Sequence, residues 1–179
     1  MEQPAPRGMT VAEFFAWDDG TDTRYELVHG APVAMNPPLR RHVVITMNLV
    51  RALDARLRPP CRAYAGGGVA RSDDDDEYRI PDVLVSCVGS GERTFDEPRL
   101  VAEVLSSSTE KEDRTAKLDF YRSLPSVEII LLIWQDARRV EAHTRHGEVW
   151  EVRSAIGSGA VPLESFDTSL PLDEIYAEV

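Results

Sequence analysis

Ile80-Pro81-Asp82-Val83-Leu84-Val85-Ser86-Cys87-Val88 and Leu100-Val101-Ala102-Glu103-Val104-Leu105 are the two stretches that decide the fold. Both are apolar at consecutive positions rather than at every second one. That is the pattern of central strands covered on both faces. Each also carries one carboxylate where a covered strand has little use for it: Asp82 directly after a proline at the strand's mouth, and Glu103 inside the run.

Working outward from this centre, Glu110 to Leu124 has helical periodicity. Glu128–Trp134, Arg138–Thr144 and Glu148–Arg153 read as strands, and Leu172–Ala177 as a short closing helix. On the N-terminal side, Cys61–Arg71 is a strand interrupted by Gly66, Gly67 and Gly68, and Asp73–Glu77 is a solvated loop. Arg40–Leu57 is a long helix stopped by Pro59 and Pro60, with Val43, Met47, Val50, Leu53 and Leu57 on one broad face joined by Ile45 and Leu49. Arg24–His29 and Ala31–Met35 form a hairpin around Gly30. Thr10 with Glu13 makes a capping box for a helix reaching Trp17. The class is α/β, in one domain from Thr10 to Val179, with residues 1–9 as a short disordered leader that lacks the apolar segment of a secretory signal.

Composition bounds the function. Of 179 residues, 42% are hydrophobic, enough for a real core. No run approaches the roughly 20 apolar residues of a membrane span. A net charge of −11 argues against a general nucleic-acid coat protein. An enzyme of this charge still needs a basic track for phosphates, for which Arg40, Arg41, Arg51, Arg62, Arg71 and Arg114 are candidates. Cys61 and Cys87 have neither metal-ligand spacing nor a nearby histidine pair, so the expectation is two reduced, buried thiols in a cytoplasmic protein.

The chemistry lies in the central carboxylates. Glu103 shares a strand face with Val101 and Leu105. An ionised carboxylate there is costly unless it is paired or binds a metal. Two carboxylates from adjacent strands can converge on one hard cation, as Mg²⁺ sites require. In the second helix, opened by a Thr109–Glu112 capping box, Asp113, Lys117, Phe120 and Leu124 share a face. Lys117 therefore points with the apolar stripe toward the sheet and back over Glu103 and Asp82. An ammonium there can orient an attacking water and steady charge on a phosphoryl oxygen. The competing reading is a purely structural Lys117–Glu103 ion pair.

Other motifs are weaker. His42 reads as a hydrogen-bonded histidine at the edge of the core, with an approach to the site as the alternative. His143 and His146 lack a third zinc ligand. Gly66–Gly68 is not followed by the Lys-Ser/Thr of a P-loop, and Asp73–Asp76 does not follow the calcium-loop pattern. Trp134 and Trp150 read as core or interface residues.

Taken together, Arg24-Tyr25-Glu26-Leu27-Val28-His29-Gly30, Arg41-His42, Pro81-Asp82-Val83, Glu103-Val104-Leu105-Ser106 and Asp113-Arg114-x-x-Lys117-x-x-x-Tyr121 resemble the Uma-type restriction endonuclease family. Order and spacing match from Thr10 to the closing Leu170-Pro171-Leu172-Asp173-Glu174-Ile175-Tyr176. The resemblance implies a restriction-endonuclease-like (PD-(D/E)XK) fold, with a mixed central β-sheet flanked by helices. It also implies Mg²⁺ or Mn²⁺ as cofactor, a nucleic-acid substrate such as DNA, and a homodimer. By the same resemblance, Asp82, Glu103 and the main-chain carbonyl of Val104 are metal ligands, Glu26 is an acidic residue supporting the metal or a water, and Lys117 is the catalytic lysine. The family's nuclease motif places a lysine two residues after the second carboxylate. Leu105 stands there instead, and Lys117 replaces it from the helix. The expected function is metal-dependent cleavage of nucleic-acid phosphodiesters. The alternative is a nuclease-fold module of little or no activity that binds DNA or a protein partner.

Overall fold

The computed structural model of the chain describes residues 8–89, 91–106 and 113–179. The two decisive stretches are indeed central strands. β6 (Val83–Ser86) and β7 (Pro98–Leu105) lie side by side, antiparallel, with every residue buried except the half-buried Arg99. On its other side β7 pairs in parallel with β8 (Ile129–Trp134), a run of β-branched and leucine residues suited to a pleated surface covered on both faces. β9 (Arg139–His146) and β10 (Val149–Ile156) extend the sheet antiparallel, and β3 (Arg62–Ala65) closes the far edge. The six-stranded order is β10-β9-β8-β7-β6-β3, a mixed sheet with one parallel pair.

Helices cover the two faces. On one, α2 (Arg40–Asp54) packs with the hairpin β11 (Ala160–Leu163)–β12 (Thr168–Pro171) and α4 (Leu172–Ile175) over Val83, Val85, Ala102 and Val104. On the other, α3 (Leu118–Ser123) sets Leu118, Phe120 and Tyr121 against Leu84, Val101, Leu105 and Leu132. α2 buries Ile45, Leu49, Ala52 and Leu53, whereas Val43 and Met47 are exposed. The buried stripe is thus rotated from the expected one, because the hairpin and α4 approach from the side of Ile45 and Leu49. The helix also ends at Asp54, several residues before Leu57.

A smaller sheet, β2-β1-β5-β4, stands at the mouth of β6. β1 (Tyr25–Val28) and β2 (Ala31–Ala34) are the hairpin expected around Gly30. Its two-residue loop, His29-Gly30, has positive φ at both positions, the twist that joins antiparallel strands tightly. β5 (Tyr78–Arg79) and β4 (Val69–Ala70) complete the sheet, and β5 leads straight into Pro81-Asp82. Thr10 and Glu13 form the capping box of α1 (Val11–Ala16).

Two expectations are corrected. Asp73–Glu77 is not a merely solvated loop. Its Asp73, Asp75 and Asp76 carbonyls accept the Ala12, Val11 and Gly30 amides. Asp75 pairs with Arg71, and Glu77 is buried. Nor are Cys61 and Cys87 separate buried thiols: both are half-buried and joined in a disulfide. They lie one residue beyond the paired Arg62 and Ser86 of β3 and β6, so the sheet register itself brings them together. No helix among the described residues is long and apolar enough to cross a membrane.

Candidate active site

Register places the two carboxylates. Val83 of β6 pairs with Ala102 of β7; Asp82 and Glu103 each lie one residue beyond that pair, and Pro81 and Val104 one further. The Asp82 carboxylate is met by His42 of α2, and the Glu103 carboxylate by Tyr121 of α3. Pro81 has no N–H to offer the Val104 carbonyl across the ladder. The neighbouring Leu105 carbonyl turns the other way, accepting from Gln135 N at 3.2 Å, so the alternation of the strand turns Val104 toward Asp82. Its amide donates to Asp82 Oδ2 at 2.7 Å. The Pro-Asp dipeptide thus replaces a ladder bond with a carboxylate and leaves a carbonyl facing the same gap.

His42, in the first turn of α2, lies with Nε2 2.8 Å from Asp82 Oδ1. The hydrogen bond expected of a core-edge histidine is present, and its partner is the site itself.

Glu103 is 3% exposed and held from the opposite helix. Tyr121 Oη donates to its Oε1 at 2.5 Å, and Lys117 Nζ stands 3.2 Å from the same oxygen. Lys117 closes a turn of π-helix, Asp113–Lys117, that runs directly into α3. Residues four apart share a helical face, which is how Lys117 and Tyr121 reach one carboxylate. The inward lysine expected from the helical wheel is therefore present, with its side chain 12% exposed. The Thr109–Glu112 capping box and the side chain of Asp113 lie outside the described residues.

The same ammonium is 3.4 Å from Glu26 Oε1. Glu26 comes from β1, where the Leu27–Tyr78 pairing sets it beside Arg79. Its Oε1 accepts the Ile80 amide at 2.9 Å, and its Oε2 lies 3.5 Å from Arg79 Nη1. Arg79 is fully buried, with Nη2 3.7 Å from Glu77. A chain of alternating charge thus runs Glu103–Lys117–Glu26–Arg79–Glu77. Sequence reasoning missed Arg79 and gave Tyr121 no role. The available signals were Tyr121's spacing of four from Lys117 and the alternation Glu77-x-Arg79.

Among the described residues no three His, Cys, Asp or Glu side chains cluster as metal ligands. Asp82, Glu103 and the Val104 carbonyl would together offer two carboxylates and one main-chain carbonyl. That set suits a hard cation that keeps several waters.

Of the expected basic track, Arg41, Arg62, Arg71 and Arg114 are engaged by Asp136, Asp54, Asp75 and Glu141. Beside the site, on β9, Glu141 accepts from Arg114 at 3.4 Å, from Arg139 at 3.2 Å and lies 2.9 Å from His143 Nε2. Arg114 and Arg139 both lie over Trp134, and Arg122 and Arg145 over Trp150. The tryptophans, expected as core or interface residues, are half-buried platforms for guanidinium groups.

Burial pushes the Glu141 carboxyl up, but Arg114, followed by the His143 hydrogen bond, outweighs it and holds the group below the usual range. Desolvation is the main cause at His143 and holds its pKa down despite Glu141. Because the folded chain binds the His143 proton more weakly than the unfolded one, its contribution to stability is present above about pH 6.5 and is lost as pH falls toward the lowered value. Glu141 acts in the same direction below about pH 4.5. His143→Gln is therefore expected to flatten the decline in urea midpoint between pH 7 and 5, measured against wild type in the same buffers. An unchanged slope would show that His143 does not cause it.

Comparison with known proteins agrees with this architecture. Residues 11–172 match the model of the Uma2 family, described as "Putative restriction endonuclease". Two uncharacterized proteins of Synechocystis sp. are similar. One, sll1609, is 27% identical over 85% of this chain and 90% of its own length; the other, slr1290, is 25% identical over 97% and 93%. A crystal structure from Anabaena variabilis, described as a "putative nuclease belonging to DUF820", superposes with a TM-score of 0.74 at 18% identity. That match covers 94% of this chain and 97% of the other. The restriction-endonuclease-like fold is thereby shown, and the chain, matched over most of its length, belongs to the Uma2 family.

Proposed function

We propose that the chain hydrolyses nucleic-acid phosphodiester bonds, DNA in the first instance, with Mg²⁺ or Mn²⁺ as cofactor. The observation that carries this reading is the Lys117 ammonium held between Glu103 and Glu26, with Asp82 one residue beyond the paired Val83. Asp82, Glu103 and the Val104 carbonyl would hold the ion. When bound, it would act as a Lewis acid on the phosphoryl group and lower the pKa of a coordinated water.

The chain's own residues supply the rest. His42 and the Val104 amide fix both oxygens of Asp82. Tyr121 fixes Glu103 so that its rotamer is set before substrate arrives. Glu26, anchored by the Ile80 amide and Arg79, holds Lys117 in place. Lys117 then orients the attacking water and offsets negative charge developing on the phosphoryl oxygens. This arrangement supplies from a helix the ammonium that the apolar Leu105 cannot.

The test is a plasmid-nicking assay with Mg²⁺, Mn²⁺ or EDTA, beside thermal unfolding in the same buffers. Wild type is expected to nick only with metal and to melt higher with it, by about 2.7 kcal/mol of stabilisation at a hundredfold excess over Kd. Glu103→Gln retains shape and the Tyr121 contact but loses charge. It is expected to abolish both responses while leaving the metal-free fold as stable as wild type. The opposite pattern is no nicking, no metal response, and a Glu103→Gln protein weaker by several kcal/mol. That result would make Glu103 and Lys117 a structural pair and leave a nuclease-fold module without catalysis.

A further inference from the structure

The expected phosphate track is largely tied up in ion pairs, yet one cationic surface stands directly beside the site. Trp134 pairs with Leu105 in the parallel β7–β8 register, two residues along from Glu103 and on the same face. That offset is about 6.6 Å along the strand and about 4.8 Å across. Arg139 lies 4.2 Å from the Trp134 ring centroid, and Arg114 lies 5.2 Å from it. Arg114 belongs to the π-helical turn that ends in Lys117. Both guanidiniums reach Glu141, whose side chain is only 8% exposed, while they themselves are more than a third exposed. Behind them, Arg122 bonds His143 at 3.0 Å and lies 3.9 Å from the exposed Asp119.

We propose that Arg114 and Arg139, splayed over Trp134 and tethered by Glu141, form a clamp for a backbone phosphate of the nucleic-acid strand whose neighbouring bond enters the Asp82–Glu103 site. The inference rests on the nucleic-acid reading of that site and assigns the strand's path across it. Among the described residues a single carboxylate, Glu141, pairs with both guanidiniums, and one negative charge does not neutralise two positive ones, in a chain of net charge −11. Planar forked donors match phosphate oxygens two at a time. Trp134 holds the forks flat at little entropic cost, and Glu141 takes up only Arg114 Nη1 and Arg139 Nη2 of their donors. The ring also offers a face to a neighbouring base.

The test is fluorescence anisotropy of a labelled short DNA duplex and its single strand, in EDTA and in the Glu103→Gln background, so that neither cleavage nor metal enters. Arg114→Gln and Arg139→Gln are each expected to weaken binding about tenfold. Each should also reduce the slope of log K against log salt by about one. Arg139→Lys keeps the charge without the fork. It is expected to preserve the salt slope while losing part of the affinity, and it serves if a glutamine variant fails to melt cooperatively. Binding that falls in these variants while wild type never nicks DNA would uphold the clamp and overturn the hydrolysis reading alone. The clamp is overturned if the folded variants bind like the parent, if the parent binds neither strand at low salt, or if polyglutamate competes as well as DNA.

Discussion

Lys117→Ala should lower metal-dependent plasmid nicking by about 10²–10⁴-fold and, separately, weaken the metal-free fold by about 3 kcal/mol. The two effects have one origin. The ammonium stands 3.2 Å from Glu103 and is shared with Glu26. Removing it leaves buried carboxylates at a site where the Arg79 guanidinium lies on the far side of Glu26. Metal binding should survive, because none of the proposed oxygen donors is altered, and bound cation should restore more stability to the variant than to wild type. Nicking assays and thermal melts, with and without Mg²⁺, separate these effects. Full activity in the variant would remove Lys117 from the mechanism. Unchanged stability would mean that the carboxylates are compensated by other groups.

Arg79→Met should be the most damaging single change to the fold, lowering the unfolding free energy by about 3–5 kcal/mol. The guanidinium is entirely buried between Glu26 and Glu77, both themselves nearly inaccessible. Methionine replaces much of the volume but leaves two carboxylates without their shared cation. Breaking one side of a buried ion network costs more than replacing the whole network with apolar groups, so Arg79→Met combined with Glu77→Gln should recover part of the loss. Urea denaturation of the two variants and wild type measures both quantities. A loss below about 1 kcal/mol, or no recovery in the double variant, would show that the triad is not a stability element.

The proposed metal and phosphate roles divide the site unevenly between the main sheet and its surroundings. β7 supplies Glu103 and Val104, and Asp82 leads directly into β6, one residue beyond the last paired residues. Lys117, Tyr121, His42 and Glu26 come from four other elements, and side-chain contacts tie them to the carboxylates and to one another. Substitutions that shift the π-helical turn should therefore alter Lys117 and Arg114 together while leaving the Asp82–Val104 bond intact.

Much of the fold and of the candidate site is legible in the chain itself. The β6 and β7 strands announce themselves by continuous apolar runs, and the Thr10–Glu13 cap and the His29-Gly30 hairpin by local chemistry that needs no tertiary context. Asp82, Glu103 and Lys117 stand out because a charge inside an apolar pattern must be answered by something. Local rules fail where the answer comes from far along the chain. Arg79 lies on a two-residue strand too short for periodicity to register, and its burial follows only from β1 and β4 closing on either side. Val43 and Met47 are apolar yet exposed, since which part of a broad helical stripe is covered depends on where the β11–β12 hairpin and α4 dock. Cys61 and Cys87, 26 residues apart, are joined because β3 and β6 share a register that no spacing rule encodes. The arginine pair over Trp134 is hidden for the same reason: a strand, a helical turn and a neighbouring strand each contribute one group. Sequence alone determined which residues must bury, cap or carry charge, because those costs are local. Only the tertiary structure decided which charges meet, because burial makes each charge seek a partner and the fold alone sets which partner is within reach.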